Sequence, residues 1–204
     1  MRQSWALCLT MGLLVGPATA ADQAEQADVA KSKAGVLEEK ASAKDGPARP
    51  APAETISKAE AQAVDPIGEE LLDGAVTCLA RTIYWEAKGE GDTGMQAVAN
   101  VVMNRLRHTG FPKTICGVVM QGHEQGACQF SWWCDGKRDN AEEQVPYTLA
   151  KEIARKALNR QLADRTDGAL YYHQGVPPSW AEQYLKTVQI GGHLFYKPAG
   201  GEAK

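Results

Sequence analysis

Glu86 and Glu90 stand one helical turn apart, and the residues before them indicate which face of a helix they share. Leu72, Val76, Leu79 and Ile83 recur at helical spacing, the apolar stripe of a helix packed on a core. Continuing the series by three and four lands on Glu86 and Glu90. A helix beginning near Glu69 therefore brings a carboxylate onto its own buried face in its last turn, flanked by Tyr84, Trp85 and Ala87. Desolvation there disfavours the charged form and raises the pKa, which equips Glu86 to hold and donate a proton near neutral pH. The competing reading is a helix-end glutamate turned to solvent or paired with Arg81 or Lys88, because structural ion pairs also shift ionisation.

A second concentration of chemistry lies between Gly122 and Gly136: His123, Glu124, Cys128, Gln129, Phe130, Ser131, Trp132, Trp133, Cys134 and Asp135. A long loop held by two cysteines and carrying amides and indoles is suited to a sugar-binding wall, since aromatic faces stack on pyranose rings and amides bond their hydroxyl and acetamido groups. Its structural alternative is a disulfide-tied loop with the tryptophans in the core.

These side chains must be positioned by the elements around them. A second helix is predicted from Thr93, which forms a capping-box pattern with Gln96, through Met95, Ala99, Val102 and Leu106, supporting the first helix from behind. Its Asn100, Asn104 and Arg105 read as a polar outer face, with a cleft as the alternative. Gly110-Phe111-Pro112 breaks the chain, and Pro112 opens a short helix through Ile115, Val118 and Val119. Pro146 begins an amphipathic helix with Leu149, Ile153 and Ala157 on one face. Ala169 to His173 has strand composition, and Thr187 to Ile190, Gly191-Gly192 and His193 to Tyr196 read as a β-hairpin. Helices followed by a few short strands make an α+β domain.

The remaining segments read as delivery. Residues 1–20 carry Arg2, an apolar run from Trp5 to Val15 and the small-x-small pattern Ala18-Thr19-Ala20 of an export leader. The run is shorter than the roughly 20 residues that span a bilayer, so no stable membrane anchor is expected. With Cys8 lost in that leader, Cys78, Cys116, Cys128 and Cys134 remain, an even number in an oxidising compartment, consistent with two disulfides in any of three connectivities. Residues 21–67 are Ala, Lys, Glu, Asp and Pro, with no aromatic between Trp5 and Tyr84, and read as a disordered tether. The domain is placed at 68–198, with 199–204 as a flexible tail. The formal charge of −3, or −4 without Arg2, lends no support to a nucleic-acid partner.

Several motifs together resemble one family. The run Cys78 to Gly91 with its Glu86-Ala87-x-Gly89-Glu90 motif, the helix Ala97 to Arg105, Cys128-Gln129-Phe130-Ser131, the strand Ala169 to His173 and the end Ile190 to Tyr196 closely resemble the SleB-like cell-wall hydrolases. The resemblance spans the domain in order and none of the tether. It implies a mainly helical lysozyme-like fold with a small antiparallel sheet and no cofactor. It implies an exported enzyme acting in a Gram-negative periplasm or at the cell wall, on peptidoglycan strands between N-acetylmuramic acid and N-acetylglucosamine. Glu86 matches the catalytic acid, and Glu90, Gln129, Phe130, Ser131, Tyr171, Tyr172 and His173 are expected to hold the glycan. One departure is Trp85, where the spore enzymes have glycine; its indole is expected to narrow the cleft or add a stacking face.

The carboxylates narrow the mechanism. Glycosidases use a carboxylate pair about 5 Å apart for retention or about 6.5 to 9.5 Å for inversion. Glu90 lies on the same side as Glu86, a poor position for attack on the opposite sugar face, which favours a lytic transglycosylase with a single glutamate. Asp92, Glu124 and Asp135 keep simple hydrolysis open. Two rival classes remain. In a zinc amidase, His123, Cys128, Cys134, His173 and His193 would offer ligands, although no tight ligand motif is present. The other is a non-catalytic wall-binding protein of the same shape. Tyr171 and Tyr172, adjacent in a strand, should face opposite sides, so that one lines the cleft. Glycan ends versus interiors, oligomeric state and any restraining partner are not encoded in these patterns.

Overall fold

The computed structural model describes residues 19–43 and 49–200. The expected export leader lies outside them except for Thr19 and Ala20, as do residues 201–204 of the expected tail.

The helix that carries Glu86, α3 (Ala75–Ala87), is the centre of the molecule, with every residue from Ala75 to Tyr84 buried. Around it pack α1 (Ala20–Ser42), α4 (Gly91–Arg107), α5 (Ile115–Met120) and α6 (Gln144–Leu158), with α2 (Lys58–Ala63) bridging α1 and α6. The predicted stripe holds in Val76, Leu79 and Ile83, but the helix starts at Ala75 rather than near Glu69. A disulfide from Cys78 to Cys116 ties α3 to α5, and a second joins Cys128 to Cys134.

Arg81 is buried within α3 and is spoken for. Its guanidinium pairs with the buried Asp65 at 2.7 Å, and Tyr147 of α6 donates to the same carboxylate. Burial pushes Asp65 up, but the Tyr147 hydroxyl, the Glu70 amide and Arg81 outweigh it and hold it below the ordinary carboxylate range.

The flexible tether expected over 21–67 is instead a folded layer wherever it is described. The side chain of Thr19 caps α1, accepting from the Asp22 amide at 3.3 Å, while Asp22 accepts from the Thr19 amide at 2.9 Å. Ala27, Ala30, Ala34, Leu37 and Ala41 then form a buried stripe against the bundle. Ile56 exchanges two backbone bonds with the side chain of Asn159, at 2.9 and 2.8 Å. Composition misleads here because alanine adds little apolar area, yet it is the best helix former and loses no side-chain entropy, so a smooth alanine stripe can pack closely.

Three short strands form an antiparallel sheet: β1 (Tyr171–Gln174), β2 (Tyr184–Ile190) and β3 (His193–Pro198), in the order β1-β3-β2. The expected hairpin is present, turning on Gly191-Gly192, although β2 begins three residues before Thr187. In the register, Tyr171 faces Tyr196 and Tyr172 faces Phe195. Phe195 joins Ala97 and Val101 of α4 in a small second core, which seats the sheet on the bundle.

Two local expectations shift for physical reasons. The helix α4 starts at Gly91 with Glu90 as its N-cap, because the left-handed Gly91 turns the chain directly out of α3, leaving Thr93 inside the first turn. Thr114 caps α5 through the Gly117 amide at 3.1 Å, so Pro112 precedes that helix rather than opening it.

Candidate active site

Glu86 sits in the last turn of α3, where its side chain is partly buried. Neither cation that could have neutralised it does so: Arg81 holds Asp65, and Lys88 pairs with Glu143. Its hydrogen-bond partner is the Tyr172 hydroxyl from β1, 2.9 Å from Oε2. Burial raises the pKa of Glu86, against the lowering effects of the Tyr172 hydrogen bond and the charge of Arg105. Tyr172 is itself held well above the ordinary tyrosine range, first by burial and then by the adjacent Glu86, so it is a donor throughout the physiological range.

Arg105 corrects the expected polar outer face of α4. It is buried, donates from Nε to the Leu170 carbonyl at 2.7 Å, and lies 5.2 Å from the ring centroids of Phe111 and Phe130 and 5.7 Å from that of Tyr171. Asn104 donates to the Ala169 carbonyl at 3.2 Å, and Asn100 accepts from the Arg165 amide at 3.0 Å. The polar side of α4 thus binds the backbone that leads into β1.

A cavity of about 280 Å³ opens beside this cluster, lined by Arg105, Cys128, Gln129, Tyr171, Tyr172, Trp180 and Tyr184. Both adjacent tyrosines reach its wall, contrary to the expectation that one would. Their rings do diverge: Tyr172 packs on His193 and Phe195, while Tyr171 meets Tyr184 with ring centroids 4.6 Å apart and Trp180 at 6.0 Å. The cavity lies at the strand's edge, where it touches both.

The other anticipated site residues divide. Gln129 is exposed on the cavity wall and Ser131 is exposed nearby in sequence, but Phe130 and Trp132 are buried in the core, as the structural reading of that loop has it. His173 bonds Tyr196 Oη through Nε2 at 3.0 Å and stacks on that ring. The Trp85 indole donates to the Asp139 carbonyl at 3.0 Å, with the Lys88 ammonium over its ring. Glu90 accepts from Gln174 at 3.1 Å and from the Gly192 amide at 2.8 Å. Among the other carboxylates considered, Asp92 bonds Gln96, Asp135 pairs with Lys137 at 3.2 Å, and Glu124 is exposed. Cys128 and Cys134, offered as zinc ligands, are joined to each other, and no group of three metal-binding side chains is found among the described residues.

Trp180 and Tyr184 were not anticipated. The signal available was the aromatic after Pro177-Pro178-Ser179; a short 3-10 helix places Trp180, and the start of β2 places Tyr184, beside Tyr171.

The profile of a family described as Cell Wall Hydrolase matches residues 89–196. The chain belongs to the cell wall hydrolase family. The profile match begins just after Glu86, so the case for that residue rests on its geometry. A spore cortex-lytic enzyme of Halalkalibacterium halodurans is 30% identical over 125 residues, covering 60% of this chain and 34% of the relative. Cell wall hydrolase CwlJ of Bacillus subtilis is 30% identical over 130 residues, covering 60% of this chain and 84% of the relative. Among solved structures, the catalytic domain of the germination-specific lytic transglycosylase SleB from Bacillus anthracis superposes with a TM-score of 0.50 at 30% identity, covering 60% of this chain and 93% of that domain. The chain spans between a third and a half of the length of the spore cortex-lytic enzymes it matches.

Proposed function

We propose that this chain cleaves peptidoglycan strands between N-acetylmuramic acid and N-acetylglucosamine as a lytic transglycosylase, with Glu86 as its single acid–base group. The observation that carries the reading is a part-buried carboxyl whose pKa is raised by desolvation, which makes no ion pair among the described residues and whose tyrosine partner Tyr172 lines an aromatic cavity. Of the second-carboxylate candidates, Glu90, Asp92 and Asp135 are engaged with other protein groups and Glu124 is exposed outside the lining of the cavity, which favours the single-glutamate route. The solved relative named as a lytic transglycosylase supports the same choice.

In this mechanism protonated Glu86 gives its proton to the glycosidic oxygen as the bond from muramyl C1 to that oxygen breaks. The resulting carboxylate then takes the proton of the muramyl 6-hydroxyl as that oxygen bonds to C1 and closes an anhydro ring. Glu86 ends protonated and no water is consumed. Between the steps, the Tyr172 hydroxyl and the charge of Arg105 stabilise the carboxylate. Tyr171, Trp180 and Tyr184 offer ring faces to the sugars and Gln129 offers an amide. Ser131 is exposed two residues after Gln129, and His173 buttresses the wall through Tyr196, which packs on Trp180.

The place of action we propose is the cell wall, reached by export. No described helix is long and apolar enough to cross a membrane. The relatives come from Bacillus and related organisms, which lends nothing to the Gram-negative periplasm.

The test is digestion of purified peptidoglycan by wild type and Glu86→Gln, with mass spectrometry of the soluble products. Anhydro-muramyl products that vanish in the variant are expected. Reducing-end muramyl products would replace the transglycosylase by a hydrolase, and free stem peptides or no release would overturn glycan cleavage.

A further inference from the structure

Glu90 entered as a glycan-binding candidate, but its surroundings give it another task. Its carboxylate accepts from two groups of the sheet at once: the Gln174 side chain at the end of β1 and the Gly192 amide in the β2–β3 turn. Gln174 pairs with His193 in the register, so the two contacts grip the same end of neighbouring strands. Glu90 itself is the elbow between the helix that carries Glu86 and α4.

The space around this carboxylate is made by glycines. A side chain at Gly191, which has a positive φ of 56°, would run into the Glu90 carboxylate. A side chain at Gly94, one turn into α4, would run into Glu90 Cβ, although alanine would otherwise favour the helix there. Both helix and turn thus yield room so that the glutamate can lie between them. Two charge-assisted hydrogen bonds across residues 84 and 102 positions apart are a clip between elbow and sheet.

We propose that Glu90 is a positioning residue, clipping the β1–β3 end of the sheet to the α3–α4 elbow so that Tyr172, two residues before Gln174, covers and bonds Glu86. This rests on the reading of Glu86 as the acid for its functional consequence, but the clip itself does not depend on it. Substrate contact is not Glu90's role. Its two oxygens are occupied by the sheet, and glutamine can serve the same geometry, accepting from the Gly192 amide and donating to a flipped Gln174 amide.

The experiment compares wild type, Glu90→Ala, Glu90→Gln and Gly94→Ala, each checked for folding by circular dichroism. Two quantities are read: turnover of purified peptidoglycan across pH, and the ionisation of Glu86 followed by carboxyl NMR without substrate. Glu90→Ala is expected to lose tenfold or more in turnover. The Glu86 ionisation should fall toward that of an exposed glutamate, because its cover opens. Glu90→Gln should remain within about threefold of wild type with an unchanged pH profile. Gly94→Ala, whose added methyl would meet Glu90 Cβ, should reproduce part of the loss. Glu90→Gln as inactive as Glu90→Ala would overturn the proposal and give Glu90 a charge-dependent role in the reaction, and an unmoved Glu86 ionisation in Glu90→Ala would overturn it equally. If instead Glu86→Gln keeps full activity while Glu90→Ala still moves the Glu86 ionisation, the clip stands and the acid assignment fails.

Discussion

Arg105 reaches from α4 to the strand that carries Tyr172: its Nε donates to the Leu170 carbonyl at 2.7 Å, two residues before the tyrosine. One buried cation therefore does two things, fixing the backbone entering β1 and favouring the ionised form of Glu86. Arg105→Met separates these from bulk, since methionine fills much of the same space. It leaves a buried carbonyl unpaired, which costs about 1 to 3 kcal/mol. We expect a lower thermal midpoint, and a Glu86 that ionises at higher pH in a carboxyl NMR titration, because an attractive charge is gone while the burial stays. A midpoint equal to wild type would mean that the Leu170 contact contributes nothing to stability.

Tyr172→Phe isolates the hydroxyl. The ring still packs on His193 and Phe195, so Glu86 stays covered but loses the donor that favours its carboxylate. Its ionisation should rise. This is opposite to the fall expected on opening the sheet, so the two variants distinguish lost bond from lost cover. A hydrogen bond to a charged group contributes roughly 1.5 to 3 kcal/mol, which corresponds to a loss of about ten- to a hundred-fold in peptidoglycan turnover. Wild-type turnover in this variant would remove Tyr172 from the mechanism.

The position of Glu86 was legible because its helix repeats an apolar residue every third or fourth place, and a carboxylate continuing that series must approach the core. The direction of Arg105 was not. Asn100, Asn104 and Arg105 look like a solvated face until residues 164–170, some 65 positions away, supply the carbonyls and amides that bind them. Phe130 and Trp132 were ambiguous for the converse reason: an aromatic in a cysteine-closed loop satisfies either a core or a sugar wall, and only the packing chooses. Trp180 and Tyr184 were missed because they reach the cavity through a short 3-10 helix and a strand start, which leave no periodic trace.

The raised pKa of Glu86 has a thermodynamic sign. Its folded-state value lies above the ordinary 4.5, so the folded protein binds the proton more tightly than the unfolded chain does. Stability is then undiminished below the unfolded value, falls as pH rises through the window up to the folded value, and stays reduced above it. Glu86→Gln keeps an acceptor for Tyr172 but has no charge to bury. The variant should melt with wild type at pH below about 4, draw progressively above it as pH rises through the folded-state value of Glu86, and keep a constant lead beyond that, by scanning calorimetry. Its turnover should fall by about a hundred- to ten-thousand-fold, the usual contribution of a general acid. A wild type that gains stability relative to the variant over that window would mean that Glu86 is stabilised as a carboxylate.

The N-terminal layer makes the last prediction, because the tether and the packed helix disagree about a single methyl-sized side chain. Ala34 is 1% exposed in the middle of the α1 stripe, with Ala30 and Leu37 on either side. In a solvated linker, Ala34→Leu would be silent or slightly favourable to local helix. Against the bundle, three more carbons have no room, and overpacking of this kind costs roughly 1 to 3 kcal/mol. We expect a lower denaturant midpoint for Ala34→Leu, and an equal or higher one for Gly35→Ala, where an added Cβ meets no neighbour within 4 Å and alanine favours the helix by up to about 1 kcal/mol. Ala34→Leu equal to wild type in urea titration would return residues 20–42 to the status of a tether and leave the fold to the elements from Ser57 onward.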